Sequence, residues 1–146
     1  MDDAAIFERI RASVARQSAM TTIGARLVEA RRGTVTIELG HGEHILQQNS
    51  FVHGGVLGMI ADSACGYAAL TMLEANKTVL TTEYKIHFLS PALGEKFIAV
   101  GRVIKPGRQL SVVQGDVYAV TGETKKHIAI MLTTLMAVEK RDGLVD

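Results

Sequence analysis

Between Phe51 and Leu73 the chain reads FVHGGVLGMIADSACGYAALTML, a nearly unbroken apolar run with two glycines at its head and one carboxylate, Asp62, in its middle. A helix this apolar has no face to give to water, so it has to be enclosed, and the remaining chain must wrap it. One sheet covers one side of a helix. The other side needs a second layer, and a second copy of the same chain is a candidate. Insertion in a membrane is the competing explanation, but a charge near the centre of the span costs about 2.5 to 3.5 kcal/mol. No membrane partner is therefore expected.

The wrapping elements are legible as alternation. TIGARLVEARRGTVTIELG reads as a hairpin about Arg31, Arg32 and Gly33, with Ile23, Ala25, Leu27 and then Val35, Ile37, Leu39 on one face. After the helix, TVLTTEYKIHFLSPA, EKFIAVGRVIKPG, RQLSVVQGDVYAV and KKHIAIMLTTLMAVEK supply four more strands. Pro106 and Gly107 suit the central positions of a type II turn, which would join the fourth and fifth strands as an antiparallel pair. Ile6, Ile10 and Val14 lie four apart over residues 1–20 and predict a peripheral amphipathic helix there, while the apolar run predicts the central helix over 54–74. The expectation is an α+β fold of six strands around one helix, in a single domain spanning 1–146.

Composition removes several classes of function. Sixteen Lys plus Arg against fifteen Asp plus Glu leave no basic footprint for a nucleic acid. The single cysteine, Cys65, excludes an intrachain disulfide, and the acidic opening MDDAAIFERI is unlike a secretion signal, so a cytoplasmic location is expected. His41 and His44 lack the further ligands a metal site needs, and no metal or redox cofactor is expected. Cys65 and His53 are twelve helical residues apart, about 18 Å, too far for a nucleophile and its base in one chain.

Two features of the helix carry chemistry. Gly54 and Gly55 let a ligand approach a helix N-terminus, where N–H groups lack internal partners and carry partial positive charge; glycines are also ordinary at a loop-to-helix junction. Asp62 shares its face with Gly58, Cys65 and Gly66. A carboxylate in such surroundings must be paired, hydrogen-bonded or functional, and the small residues beside it leave room for a substrate or a water. Lys105 and Arg108 flank the Pro-Gly turn and are either phosphate grips or solvated turn charges.

FVHGGVLGMIADSACGYAA, followed by LTTEYKIHFLSPALGE and GRVIKPGRQLSVVQGDVYA, closely resembles the PaaI-like acyl-CoA thioesterases of the hotdog superfamily, from about Gly24 to Val138. The resemblance implies a hotdog fold, a long central helix wrapped by a curved six-stranded antiparallel sheet, with subunits joined edge to edge in homodimers that pair into a homotetramer. It implies hydrolysis of an acyl- or aryl-CoA thioester to the acid and coenzyme A. In that reading the Gly54 N–H polarises the thioester carbonyl, Asp62 is nucleophile or general base, and Thr81 assists the attacking water. Gln47 stands where many relatives carry Asn, and Gln48 and Asn49 compete with it for that place. His53, Gly55 and Asn49 join the substrate-binding positions. Phe88, Ser90 and Pro91, with Lys105, Gly107 and Arg108, match segments that hold the nucleotide end of coenzyme A. A non-catalytic acyl-CoA-binding regulatory hotdog domain is the alternative, and a hotdog dehydratase using His53 is a further one.

With those roles, helix geometry restricts the assembly. Gly54 and Asp62 are eight residues apart, about 12 Å along the axis, yet both must reach one thioester carbon. The expectation is a homodimer whose active sites each draw Gly54 from one subunit and Asp62 with Thr81 from its mate.

Overall fold

Alternating burial along the strands places their apolar halves on one concave face, and the apolar helix fills it. In the computed structural model, which describes residues 1–146, the order is α1 (Asp3–Val14), α2 (Ser18–Ile23), β1 (Ala25–Arg31), β2 (Thr34–Gly40), a 3₁₀ turn (Glu43–Ile45), α3 (Gly54–Leu70), β3 (Lys77–Phe88), β4 (Lys96–Lys105), β5 (Leu110–Thr121) and β6 (Thr124–Glu139). The six strands form one sheet in the order β1-β2-β4-β5-β6-β3, antiparallel at every pairing. Leu57, Ile60, Ala61, Ala64 and Ala68 of α3 pack with Val35, Ile37 and Leu39 of β2 and with Phe97, Ala99, Val113 and Val117 of β4 and β5 in one core.

Backbone approaches between α3 and the sheet are very close. A Cβ on Gly101 of β4 would stand 2.4 Å from the Ala64 carbonyl oxygen, and one on Gly115 of β5 would stand 2.8 Å from Cys65 Sγ. Both strand glycines are required by packing against the helix. The six-stranded architecture and the antiparallel β4–β5 pair agree with the sequence reading. No helix is long and apolar enough to cross a membrane.

Five local expectations are corrected. The helix expected over residues 1–20 is two helices, because the chain turns at Gln17, in extended geometry, and Met20 and Ile23 reach the core after Ile6 and Ile10. Ile23 accordingly closes α2, capped by left-handed Gly24 at φ 79°, and does not begin a strand. The central helix stops at Leu70 and not at residue 74: the Thr71 hydroxyl donates back to the Ala68 carbonyl at 2.7 Å and accepts from the Gly33 N–H at 2.7 Å, ending the helix against the first hairpin. Gly107 is not a type II turn glycine, since it is absent from the positive-φ positions; it is needed because a Cβ there would lie 1.9 Å from the Leu110 carbonyl oxygen. Finally, a bulge between Leu27 and Glu29 shifts the alternation of β1, so that Ala30 becomes its buried residue.

Candidate active site

Strand β3 is an edge strand, and its inward residues lie along α3. Gly54, Gly58, Asp62 and Gly66 recur every four residues, which on a helix makes one ridge. Opposite them on β3 are Phe88, Tyr84, Thr81 and Val79: a Cβ on Gly54 would be 2.9 Å from Phe88 Cζ, one on Gly58 3.5 Å from Tyr84 Oη, and one on Gly66 4.0 Å from Val79 Cγ2. The ridge is glycine at three of its four positions. Its one side chain is Asp62, and there the Thr81 hydroxyl donates to the carboxylate at 2.8 Å.

Asp62 is half-buried, and burial pushes its carboxyl above the usual aspartate range while the Thr81 hydrogen bond partly offsets the push. This is the direction general-base work at neutral pH requires, provided the group still ionises. Cys65 sits one turn away, fully buried, and burial together with the charges of Asp62 and Asp116 pushes its thiol far up, out of use as a nucleophile.

A second group of residues gathers at the N-terminus of α3. Gln47, Gly54, Phe88, Ser90 and Pro91 line a cavity of about 420 Å³ with Phe51, Val52, Leu57, Leu89 and Ala92. His53 caps the helix, its Nδ1 accepting from the Gly55 N–H at 2.8 Å. The Gly55 donor is thereby spent. The N–H of Gly54, at the first helical position, has no partner in the helix and remains available. Among the three neighbouring amides, Gln47 lines this cavity and Gln48 and Asn49 are exposed beside it. The Asn49 N–H donates to Gln47 Oε1, which leaves the Gln47 NH₂ as its free end, a donor to an oxygen. Ser50, in left-handed geometry at φ 64°, makes the loop tight enough for that contact.

Within one chain the two groups do not meet: Gly54 with Gln47 lines one cavity, and Asp62 with Thr81 lines another, of about 200 Å³. Arg108 shares a shallow cavity of about 310 Å³ with Lys77, Pro106 and Gly107, and Lys105, at the end of β4, does not line it. Lys77 was invisible to sequence reasoning because it lies 31 positions before Arg108 (108 − 77) and becomes its neighbour only through the return of β3 beside the helix end. No group of three or more His, Cys, Asp or Glu side chains is placed to hold a metal ion.

The profile of the thioesterase superfamily matches residues 49–126. A relative from Saccharolobus solfataricus is 29% identical over 63% of this chain; the match spans 65% of that relative's length. A 1,4-dihydroxy-2-naphthoyl-CoA hydrolase of Listeria monocytogenes is 26% identical over 82% of this chain and 95% of its own. Among solved structures, a thioesterase family protein of Silicibacter pomeroyi is 40% identical, covers 92% of this chain and 99% of its own, and superposes with a TM-score of 0.90. The PaaI protein of E. coli, 17% identical, shares the fold with a TM-score of 0.85 over 94% of this chain and 96% of its own.

Proposed function

The chain belongs to the thioesterase superfamily and has the hotdog fold, and from that premise we propose that it hydrolyses an acyl- or aryl-CoA thioester to the free acid and coenzyme A. The observation that carries the reading is the Asp62–Thr81 pair, the single side-chain interaction on a ridge otherwise made of glycine. A purely structural ridge would have no use for a carboxylate whose burial disfavours its charge. The Listeria relative's CoA-ester hydrolysis supports the substrate class.

In the reaction the thioester carbonyl oxygen lies at the Gly54 N–H, with the Gln47 NH₂ as a second donor. Negative charge developing on that oxygen is stabilised at the helix N-terminus, an effect worth about 3 to 4 kcal/mol in comparable oxyanion holes. Asp62 takes a proton from water as the water oxygen bonds to the carbonyl carbon, and returns it to the departing CoA thiolate when the C–S bond breaks. Direct attack by the carboxylate, followed by hydrolysis of the resulting anhydride, uses the same residues.

The active site is shared between two subunits. In one chain Gly54 and Asp62 are about 12 Å apart along α3 and line different cavities. The edge of β3 is unpaired, with Leu80, Tyr84 and Phe88 exposed on it, and Gly55, Met59, Asp62 and Ser63 form the open side of α3 beside it. Pairing β3 with its two-fold copy satisfies the strand edge and brings Gly54 of one subunit toward Asp62 of the other. The outer sheet face, which exposes Ile104, Leu110, Leu132 and Met136, is the surface on which such dimers would pair to a tetramer. Release of free thiol from a panel of acyl-CoA and aryl-CoA esters tests the activity; no release from any of them by folded dimer would reject it.

A further inference from the structure

The cavity at Asp62 runs away from Gly54 along the same helix. Beyond Asp62 and Thr81 it is lined by Ser63, Gly66, Tyr67 and Leu70, a course of about 12 Å from Asp62 to Leu70. Ser13 and Gln17 of the N-terminal segment flank it, beside Tyr67 and Ser63, and Val145 and Asp146 of the C-terminal segment close its far end. That segment is fastened firmly. Arg9 grips the Asp146 carboxylate through Nε at 2.9 Å and Nη2 at 3.1 Å, and Lys140 adds a contact at 2.7 Å. The same guanidinium donates to the Leu73 and Lys77 carbonyls at 3.0 and 3.1 Å, and the Thr78 hydroxyl donates to the Val145 carbonyl at 3.0 Å. Although burial raises the Asp146 pKa, the hydrogen bonds from Arg9 and Lys140 outweigh it and hold the carboxyl below its ordinary range.

Polar groups in this cavity have unused hydrogen-bonding capacity. Ser63 Oγ donates to Gln17 Oε1 at 3.2 Å, so the Gln17 NH₂ is unspent. Ser13 Oγ and the Tyr67 hydroxyl pair at 3.3 Å; either can donate to the other, so the pair keeps one hydroxyl proton to offer.

Resting on the thioesterase reading above, we infer that this cavity is the acyl subsite and that the clasped segment Arg141–Asp146 is its end wall and sets the acyl length. A cavity of 150 Å³ accommodates benzene, so about 200 Å³ holds about eight carbon atoms, one substituted ring or a chain of similar volume. Long chains exceed it.

The test separates the subsite from the chemistry by using both substrates and non-hydrolysable S-alkyl-CoA thioethers. Gly66→Val puts side-chain volume into the cavity, and its Cβ has room, the nearest atom being 4.0 Å away. It is expected to weaken calorimetric binding of S-octyl-CoA at least tenfold and of S-methyl-CoA less than threefold. Arg9→Met with Lys140→Met releases the end wall and is expected to raise the tetradecanoyl-to-octanoyl ratio of kcat/KM at least fivefold. Equal weakening of both thioethers by Gly66→Val overturns the subsite whether or not the protein turns over. An unchanged chain-length ratio in folded Arg9 and Lys140 variants overturns the end wall. Normal thioether discrimination without hydrolysis of any ester sustains the subsite and refutes the thioesterase reading instead.

Discussion

Replacing Asp62 with Asn changes one atom at the centre of the proposed chemistry and little else. The Asn Oδ1 still accepts the Thr81 hydroxyl, held at 2.8 Å in the native protein, so the ridge and β3 keep their contact. What disappears is the proton acceptor. Base catalysis contributes about 10² to 10⁴ in rate, or about 2.7 to 5.4 kcal/mol, so kcat should fall by at least about 10² with KM little changed. A second consequence has the opposite sign. The folded protein raises the Asp62 pKa above its unfolded value, so ionisation opposes folding: stability is fully present below the unfolded pKa and is lost as pH rises through the folded one. At pH 7 the wild type carries that cost and Asp62→Asn does not. The variant should therefore melt higher at pH 7, with the gain vanishing toward pH 3. Thiol release measured by a chromogenic thiol reagent and thermal melts across pH read the two effects. Turnover within fivefold of the parent, or a variant less stable at pH 7, would refute the assignment.

In the wild type, kcat/KM should fall on acidification with a midpoint above the ordinary aspartate range. Thr81→Ala should move that acid limb to higher pH, because it removes the hydrogen bond that offsets burial, and should lower kcat about tenfold; an unmoved limb in the pH–rate profile contradicts the pairing. Lys77→Ala with Arg108→Ala should raise KM for CoA esters at least fivefold and leave a thioester lacking the nucleotide nearly unaffected, while Lys105→Ala does much less; equal effects on both substrates would remove phosphate binding from this cavity. Gly101→Ala should destabilise by about 1 to 3 kcal/mol in denaturant unfolding, because its Cβ meets the Ala64 backbone, which cannot step aside; a smaller loss would mean α3 and β4 are less rigidly apposed.

The elements and their antiparallel sheet were legible in the sequence because apolar alternation and one overlong apolar helix leave few ways to bury both. The glycine ridge was partly legible: Gly58 and Gly66 beside Asp62 mark small neighbours on one helix face. That β3 would supply the partner for each step, Phe88, Tyr84, Thr81 and Val79, needed the strand's register along the helix, which a local pattern does not encode. Local hydrogen bonding likewise separated what sequence spacing left equal. Gly54 and Gly55 are alike in the sequence, and only the His53 cap distinguishes them, by spending the Gly55 N–H. Gln47, Gln48 and Asn49 are equally eligible amides until the turn at Ser50 folds the Asn49 N–H onto Gln47. The least legible feature lies on the outer sheet face. Asp116, buried there, meets His127 at 2.9 Å, and His127 stacks on Tyr118 with ring centroids 5.0 Å apart; their sequence neighbourhoods read only as strand.

Complementation between two inactive subunits tests the shared site most directly. Asp62→Asn removes the base, and Gly54→Pro removes the N–H at a first helical position that proline tolerates. The structure permits the second change: His53, at φ −58° and ψ 133°, already has the extended geometry a residue before proline requires, and the atom nearest an added Cβ is Cζ of the exposed Phe88 ring, which can swing aside. In a mixed dimer one site inherits both defects and the other inherits neither. Random reassociation makes about half the dimers mixed, each with one intact site, so the account predicts recovery of up to about a quarter of parental activity. Confirmed subunit exchange by native mass spectrometry with no activity returning would contradict it.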